Sequence, residues 1–369
     1  MNRTMNVIRR NFFRLVRIGV FGSEDSLEPM SNWKWKQLLL LASKNEVTAV
    51  VWDGLKRFIN QGDVVLKKEL SEEWNSLVGI TERSNRFMDE SLIKLFNGYS
   101  KNQLRPILMM GRSISSLYPN PFHRVTFDID IFFPYEPQAE KADEWAKKNA
   151  KKNDDSVKNV FRYEIDGFFV ENHRRLLDFT NRHLNRQFQR IINGEIRCCD
   201  STYVFIENEK IEILPPTLYL LFLITKISRR LIDDNISLKL LIDLGIFLRK
   251  MGDKVDFVKF QLWIEDLKMI RIANIIGLIL VDMLGFDFDE LPFVYAKKDK
   301  LAEKIKREIF HHHESLSVTD KKDLGVLRKE SRSVYFHVKR CTKYFGCFPR
   351  EMNSTILFRI AHSLDQVEE

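Results

Sequence analysis

Val125-Thr-Phe-Asp128-Ile-Asp130-Ile-Phe-Phe133 sets two carboxylates two residues apart inside an otherwise apolar run. In extended backbone successive side chains alternate faces, so Asp128 and Asp130 share one face while Ile129 and Ile131 turn into a core. Two anions so placed repel each other unless a cation sits between them. Upstream, Pro106-Ile-Leu-Met-Met110 reads as a strand running into Gly111-Arg112-Ser113 and a short apolar helix that ends at Tyr118-Pro119. Downstream, Val160 to Glu164 and Phe168 to His173 flank Asp166-Gly167, a strong signal for a tight hairpin turn. The second of these strands puts Phe169, Glu171 and His173 on one face and Phe168 and Val170 on the other.

Outside this stretch the chain reads as helix. Ile8, Phe12, Leu15, Val16 and Gly19 recur at helical spacing with Arg9, Arg10, Arg14 and Arg17 between them. Such a basic amphipathic helix either lies on a membrane surface or, as we expect, docks on the body of the protein. Ser31 is placed to cap a helix carrying Trp33, Trp35 and Leu38 to Leu41, and a long periodic stretch runs from Leu70 to Leu104. Gln138 to Lys152 reads as a solvated, lysine-rich helical connection. Pro215-Pro216-Thr217 opens a buried helix, Ser237 to Lys250 forms another, and Lys297 to Arg340 carries both signs of charge around an apolar stripe at Leu301, Ile305 and Ile309. The expected class is α+β: an N-terminal helical region (1–104), a small mixed twisted sheet with its helices (105–213) and a C-terminal helical region (214–369).

With 369 residues, 44% hydrophobic and 30% charged, the chain has the composition of an ordinary globular protein, long enough for two cores. A net charge of +8 favours polyanionic partners: a nucleoside triphosphate, tRNA or an acidic membrane face. The four cysteines, Cys198, Cys199, Cys341 and Cys347, have neither metal-ligand spacing nor the density of a disulfide scaffold, which points to a reducing cytoplasm. Arg14 and Arg17 interrupt what would be the apolar part of a signal peptide. Leu218 to Ile224 and Ile275 to Val281 fall far short of the roughly 20 residues that cross a bilayer.

Paired acids beside a glycine turn suit phosphoryl chemistry. Two divalent ions about 4 Å apart can hold the attacking and leaving oxygens of an in-line displacement, and magnesium takes one or two carboxylates plus substrate phosphates. Asp128 and Asp130 are placed to bridge such a pair. Glu171 is our choice for a third acid that binds one ion and takes the attacking proton. Asp166 is second choice, because turn geometry alone explains an Asp-Gly pair. Gly111 lets backbone approach phosphate oxygens, Ser113 adds a hydroxyl, and Arg112 or Arg124 supplies charge-assisted bonds. Structural readings stand beside these: Arg124 as a surface ion pair, His173 as a packed donor, His311-His312-His313 as a polar helix end, and Cys198-Cys199 as a strand thiol pair without chemistry.

These residues resemble the uncharacterised nucleotidyltransferases of the polymerase-β-like superfamily that are widespread in bacteria. That family shows a strand ending in Lys-Gly, a short helix, Tyr-Pro-x-Pro, an arginine and Asp-Ile-Asp-Leu. Here the match reads Met110-Gly111, Tyr118-Pro119-Asn120-Pro121, Arg124 and Asp128-Ile129-Asp130-Ile131. Trp35 to Leu41 and Val47 to Val51 resemble its N-terminal helices, Val170-Glu171-Asn172-His173-Arg174 its acid-x-His strand end, and Leu214-Pro215-Pro216 through Asp243-Leu244 its later helical pair. The likeness covers about residues 10 to 250. Met110 replaces the family's lysine and Arg112 its small residue, so that Arg112 either restores the missing charge or marks an altered active site.

The resemblance implies a polymerase-β-like core moving a nucleoside monophosphate from an NTP to an acceptor hydroxyl, with Mg2+ or Mn2+ on Asp128, Asp130 and Glu171. It places Gly111, Arg112, Ser113, Arg124 and His173 around the nucleotide. The acceptor, sugar-linked, RNA or protein, is open, as is the oligomeric state. Two other readings stay alongside: a non-catalytic nucleotide-binding or interaction protein on this fold, and a toxin-like enzyme acting on tRNA.

Overall fold

The structure is a computed structural model that describes residues 3–150, 152–154, 159–233, 236–315 and 326–368, with side chains left aside at 3–6, 153, 310–315, 326–333 and 362–368. Four helices come first: α1 (Arg3–Phe21), α2 (Asn32–Lys44), α3 (Thr48–Gln61) and α4 (Lys68–Lys101). Then follow β1 (Ile107–Leu108), α5 (Arg112–Ser115), β2 (Asp128–Phe132), α6 (Glu136–Asn149), β3 (Lys152–Asp154), β4 (Val160–Ile165), β5 (Phe168–His173), α7 (Arg182–Cys198), β6 (Thr202–Ile206) and β7 (Glu209–Ile213). The remainder is α8 (Pro216–Asp233), α9 (Leu238–Met251), α10 (Phe257–Asp266), α11 (Ile270–Leu284), α12 (Lys300–Ser315), α13 (Val326–Tyr344) and α14 (Pro349–Glu368). The protein is therefore α+β with one mixed sheet. The chain forms two compact units, one of residues 1–176, 196–216 and 245–252, the other of 177–195, 217–244 and 253–369.

The first unit holds the whole sheet, in the order β3-β4-β5-β2-β1-β7-β6. β2 runs parallel to β5 and antiparallel to β1, while β1 is parallel to β7. Alternation sorts the side chains as the sequence suggests. Ile129, Ile131, Tyr163 and Val170 join one buried cluster with Leu92, Leu95 and Tyr99 of α4 and Ala139, Ala142 and Ala146 of α6. Burying those apolar groups at about 25 cal/mol per Å² holds both helices against the sheet. α6 is thus more than a solvated connection: its alanine face is packed into the core, and only its lysine face meets water. Asp166 and Gly167 turn β4 into β5 with φ of 50° and 81°, the left-handed pair of a two-residue hairpin.

The basic first helix docks on this unit. Ile8, Phe12, Leu15 and Val16 are buried, and Arg10 and Arg14 pair with Glu28 while Arg17 pairs with Asp25. A Cβ on Gly19 would sit 2.1 Å from the Val50 carbonyl oxygen, and one on Gly54 2.3 Å from that of Leu15. α1 and α3 therefore touch backbone to backbone.

The second unit is helical among the described residues. Phe179, Phe188 and Phe348 meet edge to face, and Glu351 accepts hydrogen bonds from the backbone N–H groups of Thr180 and Asn181. Ile305 and Ile309 are buried as their spacing suggests. His311-His312-His313 falls within α12, but its side chains lie outside those described. Cys198 closes helix α7 and Cys199 follows it, so the thiol pair is at a helix end and not on a strand; neither cysteine is in a disulfide. Among the described residues no helix is long and apolar enough to cross a membrane.

Candidate active site

Strand pairing places three acids on one patch. Register sets Asp128 beside Phe169, Asp130 beside Glu171, and Phe132 beside His173. Parallel neighbours about 4.8 Å apart bring side chains of one face within ligand distance of each other. Asp130 is buried and Asp128 exposed, so the ridge runs from the sheet into solvent. His173 Nε2 lies 3.4 Å from Asp130 Oδ1 and 3.3 Å from Glu171 Oε2. It is aligned with neither, and this buried nitrogen makes no hydrogen bond to any described residue.

The electrostatics follow from that crowding. Burial works against a charged His173, but Asp130 and Glu171 outweigh it and raise the imidazole to about 9. His173 in turn lowers Glu171, against desolvation and with help from Arg162. The cation that paired anions require is thus supplied by the protein itself. Asp130, Glu171 and His173 each offer one ligand atom, all within 4.8 Å of one another. Asp130 and Glu171, with Asp128 adjacent, fit a divalent cation, which would take the place of the proton that His173 holds between them.

Arg162 is the residue that sequence reading overlooked. It is the cross-strand partner of Glu171, and its Nε donates to Glu171 Oε1 at 2.7 Å while Nη2 reaches the same oxygen. The signal was present: a two-residue turn at Asp166-Gly167 pairs residues symmetrically about itself, which opposes 162 to 171.

The opposite face holds the strand in place. Asn172, buried, accepts from the Tyr99 hydroxyl at 2.9 Å and donates to Asp143 Oδ1 at 3.2 Å. Arg174 spans Asp143 and Glu136 of α6. Glu171 and His173 therefore sit on either side of a residue locked from behind, which fixes their direction.

The glycine turn is placed differently. Gly111 has φ 74° and ψ −109°, and a Cβ there would lie 2.9 Å from Thr126 Cγ2 and 3.5 Å from the Asp128 carbonyl oxygen. The bare backbone thus fits against the start of β2. Arg112 does not reach the acids. It is buried, its Nε and Nη2 grip both oxygens of Asp89, the latter at 2.6 Å, and its Nη1 donates to the Pro121 carbonyl at 2.6 Å. Three of its five N–H donors are thus engaged by Asp89 and Pro121. Ser113 is buried. Arg124 is buried too, its Nη1 donating to Val125 O and Thr126 Oγ1, both at 3.1 Å. Asp166 stays in its turn, 3.9 Å from Lys94.

One face of α4 organises that loop. Asn85 donates to the carbonyls of Phe122 and Arg124 at 2.7 and 2.9 Å, Asp89 holds Arg112, and Glu82 meets His123 Nε2 at 2.8 Å. His123 Nδ1 contacts Asp53 at 2.6 Å. Burial opposes the imidazolium, yet Asp53 and Glu82 raise its pKa. Residues 82, 85 and 89 share one helical face, so a polar stripe inside a periodic helix was the available sign.

Residues 31–285 match the family described as uncharacterised nucleotidyltransferase, and the chain belongs to it. Searches of curated proteins and of solved structures give no match.

Proposed function

We propose that this protein is a metal-dependent nucleotidyltransferase of the polymerase-β-like kind, moving a nucleoside monophosphate from an NTP to an acceptor hydroxyl. The observation that supports it most is the in-register meeting of Asp130 and Glu171, with His173 Nε2 at 3.4 and 3.3 Å from them, in a chain of nucleotidyltransferase family. Asp128 and Asp130 would hold two ions, and Glu171 one of them. Magnesium or manganese, when bound, neutralises charge on the attacking and leaving oxygens. Glu171, kept anionic by its neighbours, accepts the proton of the attacking hydroxyl as it bonds to the α-phosphorus and pyrophosphate leaves. Backbone at Gly111, the Ser113 hydroxyl and Arg124 frame the nucleotide, and His173 steadies both acids.

The test is release of pyrophosphate, or transfer of label, from a panel of NTPs with Mg2+ or Mn2+. Wild type should turn over at least one, and Asp128→Ala/Asp130→Ala none. The ion pair holding Glu171 supports a second reading, a nucleotide-binding protein without transfer, which binding without turnover across sugar-linked, RNA and protein acceptors would favour. Should tRNA be the acceptor, its binding must weaken steeply with salt as counterions are released.

A further inference from the structure

Two groups on the acid face have no role in the reaction as described. Phe169 stands in register with Asp128, at the exposed end of the acid pair, and is 53% exposed. Polar side chains ordinarily take the solvent face of a hairpin strand, and here a large ring stands there instead. Arg162, opposite Glu171, has its side chain about half exposed. Its guanidinium carbon lies 5.9 Å from the centre of the Phe169 ring, and its charge is stabilised further by Asp128 and Asp154. Alternation puts Arg162, Phe169, Glu171, Asp128 and Asp130 on the same face. An aromatic plane beside a guanidinium, next to acids suited to cations, is the combination that a planar base carrying phosphates requires. Of the two arginines that the sequence offered, Arg112 is held by Asp89 and Arg124 is buried against Val125 and Thr126.

We propose that Phe169 and Arg162 form the wall that receives the nucleotide, the ring stacking on the base and the guanidinium binding a phosphate oxygen. This rests on the nucleotidyltransferase reading. Arg162 then exchanges one anion for another: Glu171 turns to the bound cation, and the triphosphate takes its place on the guanidinium. Both side chains are positioning residues, and no bond forms or breaks on either.

Isothermal titration calorimetry with Mn2+ and three probes separates the two contributions: α,β-methylene-ATP, α,β-methylene-UTP and inorganic tripolyphosphate, which has no base. Phe169→Ala should weaken both nucleotides by about 5- to 100-fold, the range that one aromatic stack supplies, and leave tripolyphosphate unchanged. Arg162→Gln should weaken all three, with Arg162→Lys recovering part of the loss. Should Phe169→Ala not fold, Phe169→Ile keeps apolar bulk and strand propensity without the ring and gives the same comparison. Equal effects of Phe169→Ala on nucleotides and tripolyphosphate, or none on either, overturn the stacking assignment, and unchanged binding in Arg162→Gln overturns the phosphate assignment. Wild type that holds Mn2+ but binds none of the three sinks the nucleotidyltransferase reading as well. Wild type that binds nucleotide as tightly as both variants sinks this inference alone.

Discussion

Arg112 with Asp89 and Arg162 with Glu171 are the same chemical pair in opposite settings. The first is buried on both sides, and every guanidinium nitrogen has a partner. The second lies half in water, and the nearby His173 Nε2 has no hydrogen bond among the described residues. Saturated and dry, the Arg112 pair ties the glycine turn and Pro121 to α4. Unsaturated and wet, the Arg162 pair leaves ligand capacity unused. The difference teaches that an arginine near a motif is judged by whether its donors are already spent.

The largest expected effect tests that contrast in stability. Arg112→Ala strands a buried carboxylate and should cost about 3–5 kcal/mol, whereas Arg162→Ala should cost under about 1 kcal/mol. Urea unfolding measures both, and equal losses would break the comparison. Activity should divide the other way. Asp130→Ala should lower pyrophosphate release by about a hundredfold or more with little change in unfolding midpoint, while Asp89→Asn should lower the midpoint first.

Two glycines sharpen it further. Gly111→Ala adds overlap with Thr126 to an unfavourable backbone and should cost about 1–3 kcal/mol. Gly167, with φ 81° and open space around it, should lose only about 1–2 kcal/mol on the same change. Thermal melts rank the two, and the reverse order would contradict the close fit of the turn against β2.

The smallest effect belongs to His123. Its folded pKa is raised, so its bonds to Asp53 and Glu82 stabilise the protein fully below the unfolded value near 6.5. That contribution fades as pH rises through the folded value. Urea midpoints should therefore fall from pH 6 towards pH 9, and His123→Gln should flatten this part of the slope. An unchanged slope in the variant would remove His123 from the account.

What the sequence disclosed was local. Period-two alternation at Asp128 to Ile131 and the Asp166-Gly167 turn were enough to orient both strands and to set Glu171 and His173 on the acid face. The partners of Arg112 were hidden, because Asp89 lies on a helix 23 residues earlier and nothing local marks which arginine it will meet. Strand β3 was hidden too: Lys152 to Asp154 is polar and pairs only with β4 among the described residues, so it has no apolar pattern to read. The alanines of α6 carry too little hydrophobic signal beside its lysines to announce a packed face. Arg162 was legible and overlooked, since the turn register already opposed it to Glu171.

Manganese titration followed by electron paramagnetic resonance tests most directly whether Asp130 and Glu171 exist to grip a divalent cation. Wild type should bind the ion, and Asp130→Ala and Glu171→Gln should each weaken it by about tenfold or more. Asp166→Asn, which alters only the turn acid paired with Lys94, should match wild type. Equal manganese affinity in all four proteins would contradict the account.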